Sequence, residues 1–346
     1  MHKVRHAYVT LTTTCNLRCS WCYFSSGLGT KNMECGTLSD IALVLQDLGV
    51  SSVTLIGGEP ALYPDFNSVL SLLSGMNLHV GVATNGIAFA NRAFAAACVD
   101  AGLGSANVSL KGLDSAEYQA NTGAACFHSA MHGISNLSVL GVPTVLSYVV
   151  CSDDPTLGGR LSTLYSLSGA DALRIQFMKP DIFSRNESIM SMSAMASVAT
   201  RLYQELEGEV DTYEIEISFP FCLIDHNLLS EMLEHHRICN GCMLHRHSGI
   251  SFDIDGSLLP CNHFVGTPYQ RRDGNRIDLQ YVKAVLEGGI ARQVRETSLR
   301  FPSKRCAGCK HWLICGGGCM TRWFKEDPSL VIPNNDKAGN CGLKEV

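Results

Sequence analysis

Six short apolar or β-branched runs alternate with helix-like segments over the first 180 residues, and this alternation constrains the fold more than any other feature. Runs at 6–14, 51–58, 77–86, 105–112, 142–151 and 172–180 read as strands. Segments 38–49, 65–75, 90–102, 114–140 and 157–168 read as helices, the first with Thr37 or Ser39 as cap and the third closed by Gly102. The Met-rich stretch 188–199 reads as helix packing. Strands alternating with helices imply a parallel sheet with right-handed crossovers. Short motifs follow the strands: three cysteines after the first, Gly57-Gly58-Glu59-Pro60 after the second, Thr84-Asn85-Gly86 after the third, and Ser109-Leu110-Lys111-Gly112 at the fourth. In parallel α/β folds ligands sit at the carboxyl ends of the strands, so the cysteines, Glu59, Asn85 and Ser109 are expected around one pocket.

At 346 residues the chain suits two domains, or one large domain with an appendage. Charged residues make up 17% and the net charge is −5, with no basic run to follow a phosphate backbone; nucleic acid is excluded as a main partner. No apolar stretch approaches the roughly 20 residues of a membrane span, and residues 1–20 lack a signal-peptide core, so no membrane partner is expected and the expected location is cytoplasmic. Sixteen cysteines in a reducing compartment point to metal rather than disulfides. Cys15, Cys19 and Cys22 form C-x3-C-x2-C, and a second group spans 239–341. Cys35, Cys98, Cys126, Cys151 and Cys222 stand alone and read as small buried hydrophobes. A tetrahedral site wants four ligands; zinc at the first group would have to recruit His6 or Cys35.

C-x3-C-x2-C with Trp21 before its last cysteine, followed by Gly57-Gly58-Glu59-Pro60 after the next strand, resembles the radical S-adenosylmethionine (radical SAM) superfamily. The resemblance implies an α/β partial (β/α)6 TIM-like barrel and explains the missing ligand. Three thiolates bind three irons of a [4Fe–4S] cluster; the fourth iron takes the amino and carboxylate groups of S-adenosylmethionine, which is cleaved reductively to methionine and a 5′-deoxyadenosyl radical. By the same resemblance Trp21 packs near the adenine, and Gly57, Gly58 and Glu59 receive the methionine ammonium. Asn85 joins the cofactor-binding set and Ser109 contacts the ribose or carboxylate. Relatives often read Ser-x-Asp-Gly at the fourth strand; here Lys111 replaces the acid and is expected to point to solvent. A flavodoxin- or ferredoxin-type protein is the implied electron donor.

The later cysteines run Cys242-x13-Gly256-x4-Cys261, then Cys306-x2-Cys309-x5-Cys315-x3-Cys319, then Cys341. This pattern is similar to the SPASM extension of peptide- and protein-maturing radical enzymes. It implies a small C-terminal iron–sulfur domain over 239–346, after a barrel core over 1–208 and a bridging region over 209–238. Two auxiliary [4Fe–4S] clusters make three in all. Cys242, Cys261 and Cys319 would hold the first with Cys239 as fourth ligand and Cys222 as competitor; with neither, one iron stays open. Cys306, Cys309, Cys315 and Cys341 would hold the second. Spacing alone also permits two structural zincs. Gly316–Gly318 suit a loop between bulky groups, where a Cβ has no room. His245, His247 and His263 are expected to face solvent or to bond loop backbone. Cys222 reads as a packing residue, and is otherwise a weak candidate hydrogen-atom donor. Asn262 stands where sulfatase-maturing relatives carry an aspartate base; an amide takes no proton, which demotes that activity.

The expected function is oxidative modification of a ribosomally made peptide: a thioether or carbon–carbon cross-link, or related side-chain chemistry. The alternative is dehydrogenation or epimerisation of a small carbohydrate such as an aminoglycoside. Only fourteen residues precede Cys15, too few for the winged-helix module with which some relatives grip a leader peptide. Leader recognition is therefore expected from a separate leader-binding protein, the sheet edge, or residues 181–238.

Overall fold

The computed structural model describes residues 4–179, 190–246, 248–274, 276–300, 303, 306 and 308–324. Strands β1 (His6–Thr12), β2 (Ser52–Gly57), β3 (His79–Thr84), β4 (Leu103–Leu110), β5 (Thr144–Val150) and β6 (Ala172–Phe177) fall where the alternation puts them. All neighbours among them pair in parallel, in sequence order. Between them lie α1 (Cys35–Asp47), α2 (Phe66–Gly75), α3 (Arg92–Asp100), α4 (Ser115–Thr122), α5 (Phe127–Val139) and α6 (Leu157–Ser168). The result is an α/β partial barrel. In β4, Leu103, Ala106, Val108 and Leu110 are buried, while Ser105, Asn107 and Ser109 occupy the opposite, half-buried face.

Helix α1 begins three residues earlier than its expected start. Extended Glu34 is its N-cap, so Thr37 and Ser39 lie inside the helix, and the Ser39 hydroxyl donates to the Cys35 carbonyl at 2.9 Å. Helix α7 (Met192–Leu206) buries Met192 and Met195 completely, which accounts for part of the Met-rich stretch as core packing.

The sheet continues past the sixth strand. β7 (Tyr213–Glu216) pairs with β6, and β8 (Ile238–Cys239) with β7, both in parallel. On the opposite edge, β9 (Gly249–Phe252) lies parallel to β1, and β10 (Leu258–Leu259) closes antiparallel on β9. Ten strands thus form one sheet among the described residues, and chain from beyond residue 238 supplies one of its edges. Arg322, 1% exposed, ties the C-terminal segment to the barrel: its guanidinium donates to Ser218 Oγ at 3.2 Å and to the carbonyls of Met178 and Met190. Among the described residues no helix is long and apolar enough to cross a membrane.

Candidate active site at the carboxyl ends of the strands

The loop carrying Cys15, Cys19 and Cys22 leaves β1 and is held by the glycines that follow β2. The Gly58 N–H donates to the Thr12 carbonyl at 2.8 Å, and the Glu59 N–H to the Thr14 carbonyl at 2.7 Å. A Cβ on Gly57 would stand 2.4 Å from the Thr12 oxygen, and one on Gly58 2.3 Å from the Thr14 oxygen. These glycines therefore admit protein backbone, namely the cysteine loop itself. Gly58→Ala is expected to push that loop away, costing about 1–3 kcal/mol of stability and lowering iron loading; thermal unfolding together with iron analysis of the reconstituted protein checks this.

Glu59, 2% exposed, is the hub of the site. Its Oε1 accepts from Thr84 Oγ1 at 2.6 Å and from the Ala61 N–H at 3.2 Å; its Oε2 accepts from the Asn85 N–H at 2.7 Å. Burial raises its pKa, and these donors oppose the rise. Asn85 carries the connection onward, its Nδ2 donating to Asn16 Oδ1 in the cysteine loop at 2.7 Å. Lys111 corrects the solvent-facing expectation. Its ammonium donates to Ser109 Oγ at 2.6 Å, and its charge acts on Cys19 and Glu59. It faces the site.

The three N-terminal thiols form one group. Burial pushes Cys15 up to about 11, with Glu59, Cys19 and Cys22 adding to the rise, and the Leu17 N–H donates to Cys15 Sγ at 3.4 Å. Burial also raises Cys19, against Lys111. Neither zinc-ligand candidate joins them: His6 bonds Ser52 Oγ at 2.8 Å, and Cys35 lies 3.8 Å from the Tyr63 hydroxyl. Trp21 lines a cavity of about 440 Å³ with Asn121, Tyr148, Cys151, Asp154 and Arg160, and its buried Nε1 has no hydrogen-bond partner among the described residues.

The later thiols divide into two neighbourhoods. Cys261 is raised by burial up to about 12, with contributions from Cys319 and Cys242, and Cys319 also acts on Cys242. Cys239 lies apart: after burial, its dominant partner is Glu214, to which it hydrogen-bonds. Cys315, Cys306 and Cys309 form the other neighbourhood. Cys222 is exposed, which corrects the packing-residue reading. Cys341 and His247 lie outside the described residues. His245 Nε2 meets the Trp312 carbonyl at 3.0 Å, as expected of a histidine on loop backbone; His263 instead packs against Tyr23, ring centroids 4.4 Å apart and planes tilted by 47°. Tyr23 also hydrogen-bonds Asn262, so it links the N-terminal cysteine loop to the Cys261 loop. Gly316, Gly317 and Gly318 all have positive φ (55°, 72° and 84°). A Cβ on Gly318 would stand 2.8 Å from the Ser218 oxygen. A Cβ on Gly316 would meet the His245 ring at 2.7 Å, so at both positions it is protein that leaves no room.

Among the described residues no three His, Cys, Asp or Glu side chains converge on a single metal-ion position. A zinc tetrahedron needs sulfurs about 3.8 Å apart. A four-iron cluster carries each thiolate on a different iron and so does not require the sulfurs to meet at one point.

The sheet face opposite the helices is polar. Tyr8, Thr54, Gly81 and Ser105 share one register row, followed by Asn107, Ser147, Arg174, Gln176 and Glu216 on the same face. Sequence reading missed the chain of bonds at its carboxyl end: Ser147 donates to Gln176 at 3.1 Å, Gln176 to Glu216 at 2.7 Å, and Lys179 to Glu216 at 2.7 Å. Period-two alternation alone could have placed Gln176 and Glu216 there. Buried Thr10 Oγ1, Asn107 Oδ1, Arg174 Nε and Ser251 Oγ have no hydrogen-bond partner among the described residues.

Residues 9–154 match the radical SAM superfamily. With the fold and the cysteine loop, that match defines the chain as a radical SAM enzyme, which binds S-adenosylmethionine and a radical SAM iron–sulfur cluster. Its relatives include a probable GTP 3′,8-cyclase of Sulfolobus acidocaldarius, 24% identical over 301 residues, covering 84% of this chain and 88% of that protein. GTP 3′,8-cyclase 2 of Mycobacterium tuberculosis is 34% identical over 157 residues, covering 43% of this chain and 42% of that one. Among solved structures, Streptococcus suis SuiB bound to precursor peptide SuiA aligns with a TM-score of 0.72 at 17% identity, covering 94% of this chain and 74% of SuiB. Native anSMEcpe with bound AdoMet and the Cp18Cys peptide aligns at 0.68 with 18% identity, covering 91% and 89%. At such identities the alignments establish a shared fold.

Proposed function

We propose that this enzyme oxidatively modifies a ribosomally made peptide, using S-adenosylmethionine bound at the Cys15–Cys19–Cys22 loop. When bound, the cluster and S-adenosylmethionine together supply a carbon-centred radical able to take hydrogen from an unactivated C–H bond. The chain's own residues bind and orient. Cys15, Cys19 and Cys22 ligate iron; the strand end at Gly57 and Gly58 and the carboxylate of Glu59 receive the methionine ammonium. Asn85 holds Glu59 and the cysteine loop in register. Ser109 and Lys111 face the methionine carboxylate, and the Trp21 cavity takes the adenine. The second thiol field, within a SPASM unit over 239–346, would hold two auxiliary clusters able to take up the surplus electron of an oxidation, and a flavodoxin- or ferredoxin-type partner would donate the electron that starts the reaction. Cys242, Cys261 and Cys319 ligate one of them, and Cys306, Cys309 and Cys315 are ligands of the other.

One observation carries the substrate reading: the fold that this chain shares over 94% of its length with SuiB, which was solved with a precursor peptide, includes the second thiol field. The unpaired polar atoms of Thr10, Asn107, Arg174 and Ser251 support a substrate rich in hydrogen-bonding groups. A second reading, GTP cyclisation, is favoured by the relative that aligns over 301 residues. Reconstituted protein, S-adenosylmethionine and reductant are incubated separately with short peptides encoded beside the gene, with GTP, and with an aminoglycoside. The peptide reading predicts 5′-deoxyadenosine together with a peptide lighter by two hydrogens. GTP consumption with unaltered peptides replaces it with the cyclase reading; an oxidised aminoglycoside replaces it with carbohydrate chemistry.

A further inference from the structure

The Trp21 cavity carries three carboxylates that the reading above leaves without a role. Asp114 and Glu117 stand at the start of α4, and Asp154 lies in the loop between β5 and α6. Arg160, from the first turn of α6, is the one cation lining that cavity among the described residues. Its guanidinium reaches all three acids. Nη2 donates to Asp114 Oδ2 at 2.9 Å and to Glu117 Oε2 at 2.6 Å, and Nη1 donates to Asp154 Oδ2 at 3.0 Å. The remaining oxygens are taken as well. Asp114 Oδ1 accepts from the Glu117 N–H, Glu117 Oε1 from the Tyr148 hydroxyl and Asp154 Oδ1 from the Thr156 N–H, each at 2.8 Å. Each oxygen of these acids thus has a donor within the protein, and together they build a wall.

Helix α4 is the element that these bonds hold. Its C-terminal end carries the cysteine loop: the Arg18 N–H donates to the Thr122 carbonyl and the Ser20 N–H to the Asn121 carbonyl, each at 3.1 Å. Trp21 is the next residue along that loop. The N-terminal half of α4 faces β5 and α6 across the cavity, and the Arg160 and Tyr148 side chains cross to it. A helix of eight residues has little stability of its own and takes its place from such contacts. Without Arg160, α4 would stay bonded at the Trp21 end. Its other end would keep the Tyr148 bond, and three carboxylates would repel one another with no counter-ion between them.

We propose that Arg160 is a positioning residue for S-adenosylmethionine: by tying α4 to α6 it sets the width of the cavity that receives the nucleoside. The role acts through the helix and rests on the reading that the Trp21 cavity takes the adenine. It assigns the acidic lining to scaffolding and leaves contact with the nucleoside to Trp21 and the end of β5.

Anaerobic calorimetric titration of the reconstituted full-length protein with S-adenosylmethionine, with no reductant present, measures binding apart from turnover. Iron per chain is counted in the same samples. Arg160→Met is expected to weaken binding about tenfold, as a displaced wall misplaces a bound ligand. Its iron content and far-ultraviolet circular dichroism should match the wild type. Arg160→Lys, which keeps the charge but loses the fork, should fall between the two. Trp21→Ala tests the cavity reading separately. Weaker binding in Trp21→Ala with wild-type binding in Arg160→Met overturns the Arg160 role alone. Wild-type binding in Trp21→Ala overturns the cavity reading and the role with it. Lost iron in Arg160→Met with unaltered affinity per iron makes Arg160 a residue of the fold only, and also overturns the role. Should Arg160→Met fail to fold, Asp154→Asn, which takes one bond from the guanidinium, carries the prediction with a smaller shift; unchanged binding there overturns it.

Discussion

Glu59→Gln is expected to lower 5′-deoxyadenosine formation on the order of 100-fold, about 2.7 kcal/mol in barrier. The reason is a conflict of donors. Glu59 is 2% exposed, and each of its oxygens faces a backbone N–H: Ala61 on Oε1, Asn85 on Oε2. Whichever way an amide is turned, its NH2 meets one of these donors, leaving a buried polar group unpaired. The Thr84 hydroxyl can rotate to accept; a peptide N–H cannot. Loss of the Asn85 contact also frees the Asn85–Asn16 bond that positions the cysteine loop. Glu59→Asp keeps the charge but withdraws the carboxylate, and should recover part of the activity. Product formation by the three proteins at matched iron content is the measurement; equal rates for wild type and Glu59→Gln would remove Glu59 from the site.

Lys179→Met should cost about 3–5 kcal/mol of stability, because it leaves a buried carboxylate without its counter-ion. Lys179 and Glu216 are 2.7 Å apart with side chains 18% and 11% exposed. Burial opposes both charges, yet the pairing wins: Glu216 is held down at about 2 and Lys179 is raised. The sign follows for pH. Glu216 is more acidic folded than unfolded, so its contribution is complete above its ordinary value of 4.5 and disappears as pH falls toward about 2. The stability gap between wild type and Lys179→Met in urea titrations should therefore be widest at pH 7 and narrow by pH 3. Removing both charges, with Lys179→Met and Glu216→Leu together, should recover much of the loss.

The strand–helix repeat was legible because each early strand carries an apolar face against helices and a polar face opposite, as in Leu103–Leu110. β7 and β8, with four and two residues, are too short for that signal. β9 joins β1 across some 240 residues of chain, a pairing that no local pattern encodes. Gly57, Gly58, Glu59 and Asn85 stand out by their motifs and converge at the carboxyl ends of the strands, where the glycines admit the cysteine loop. The expectation of a solvent-facing Lys111 neglects Ser109, two residues earlier at the same strand end. Strand periodicity puts both on one face, and the 2.6 Å bond between them follows. Spacing does not sort Cys222 from Cys239, because loop geometry decides which thiol meets which; Phe221, beside Cys222, donates its N–H to Cys315 Sγ.

On the proposed reading the Cys15–Cys19–Cys22 loop leaves one iron free for S-adenosylmethionine. The direct test is EPR of the reduced, reconstituted enzyme carrying Cys242→Ala and Cys306→Ala, recorded before and after S-adenosylmethionine is added, with 5′-deoxyadenosine quantified in the same sample. A signal whose g-values move on addition, with 5′-deoxyadenosine produced, is the predicted result. A spectrum that S-adenosylmethionine leaves unchanged, with no 5′-deoxyadenosine, would contradict it.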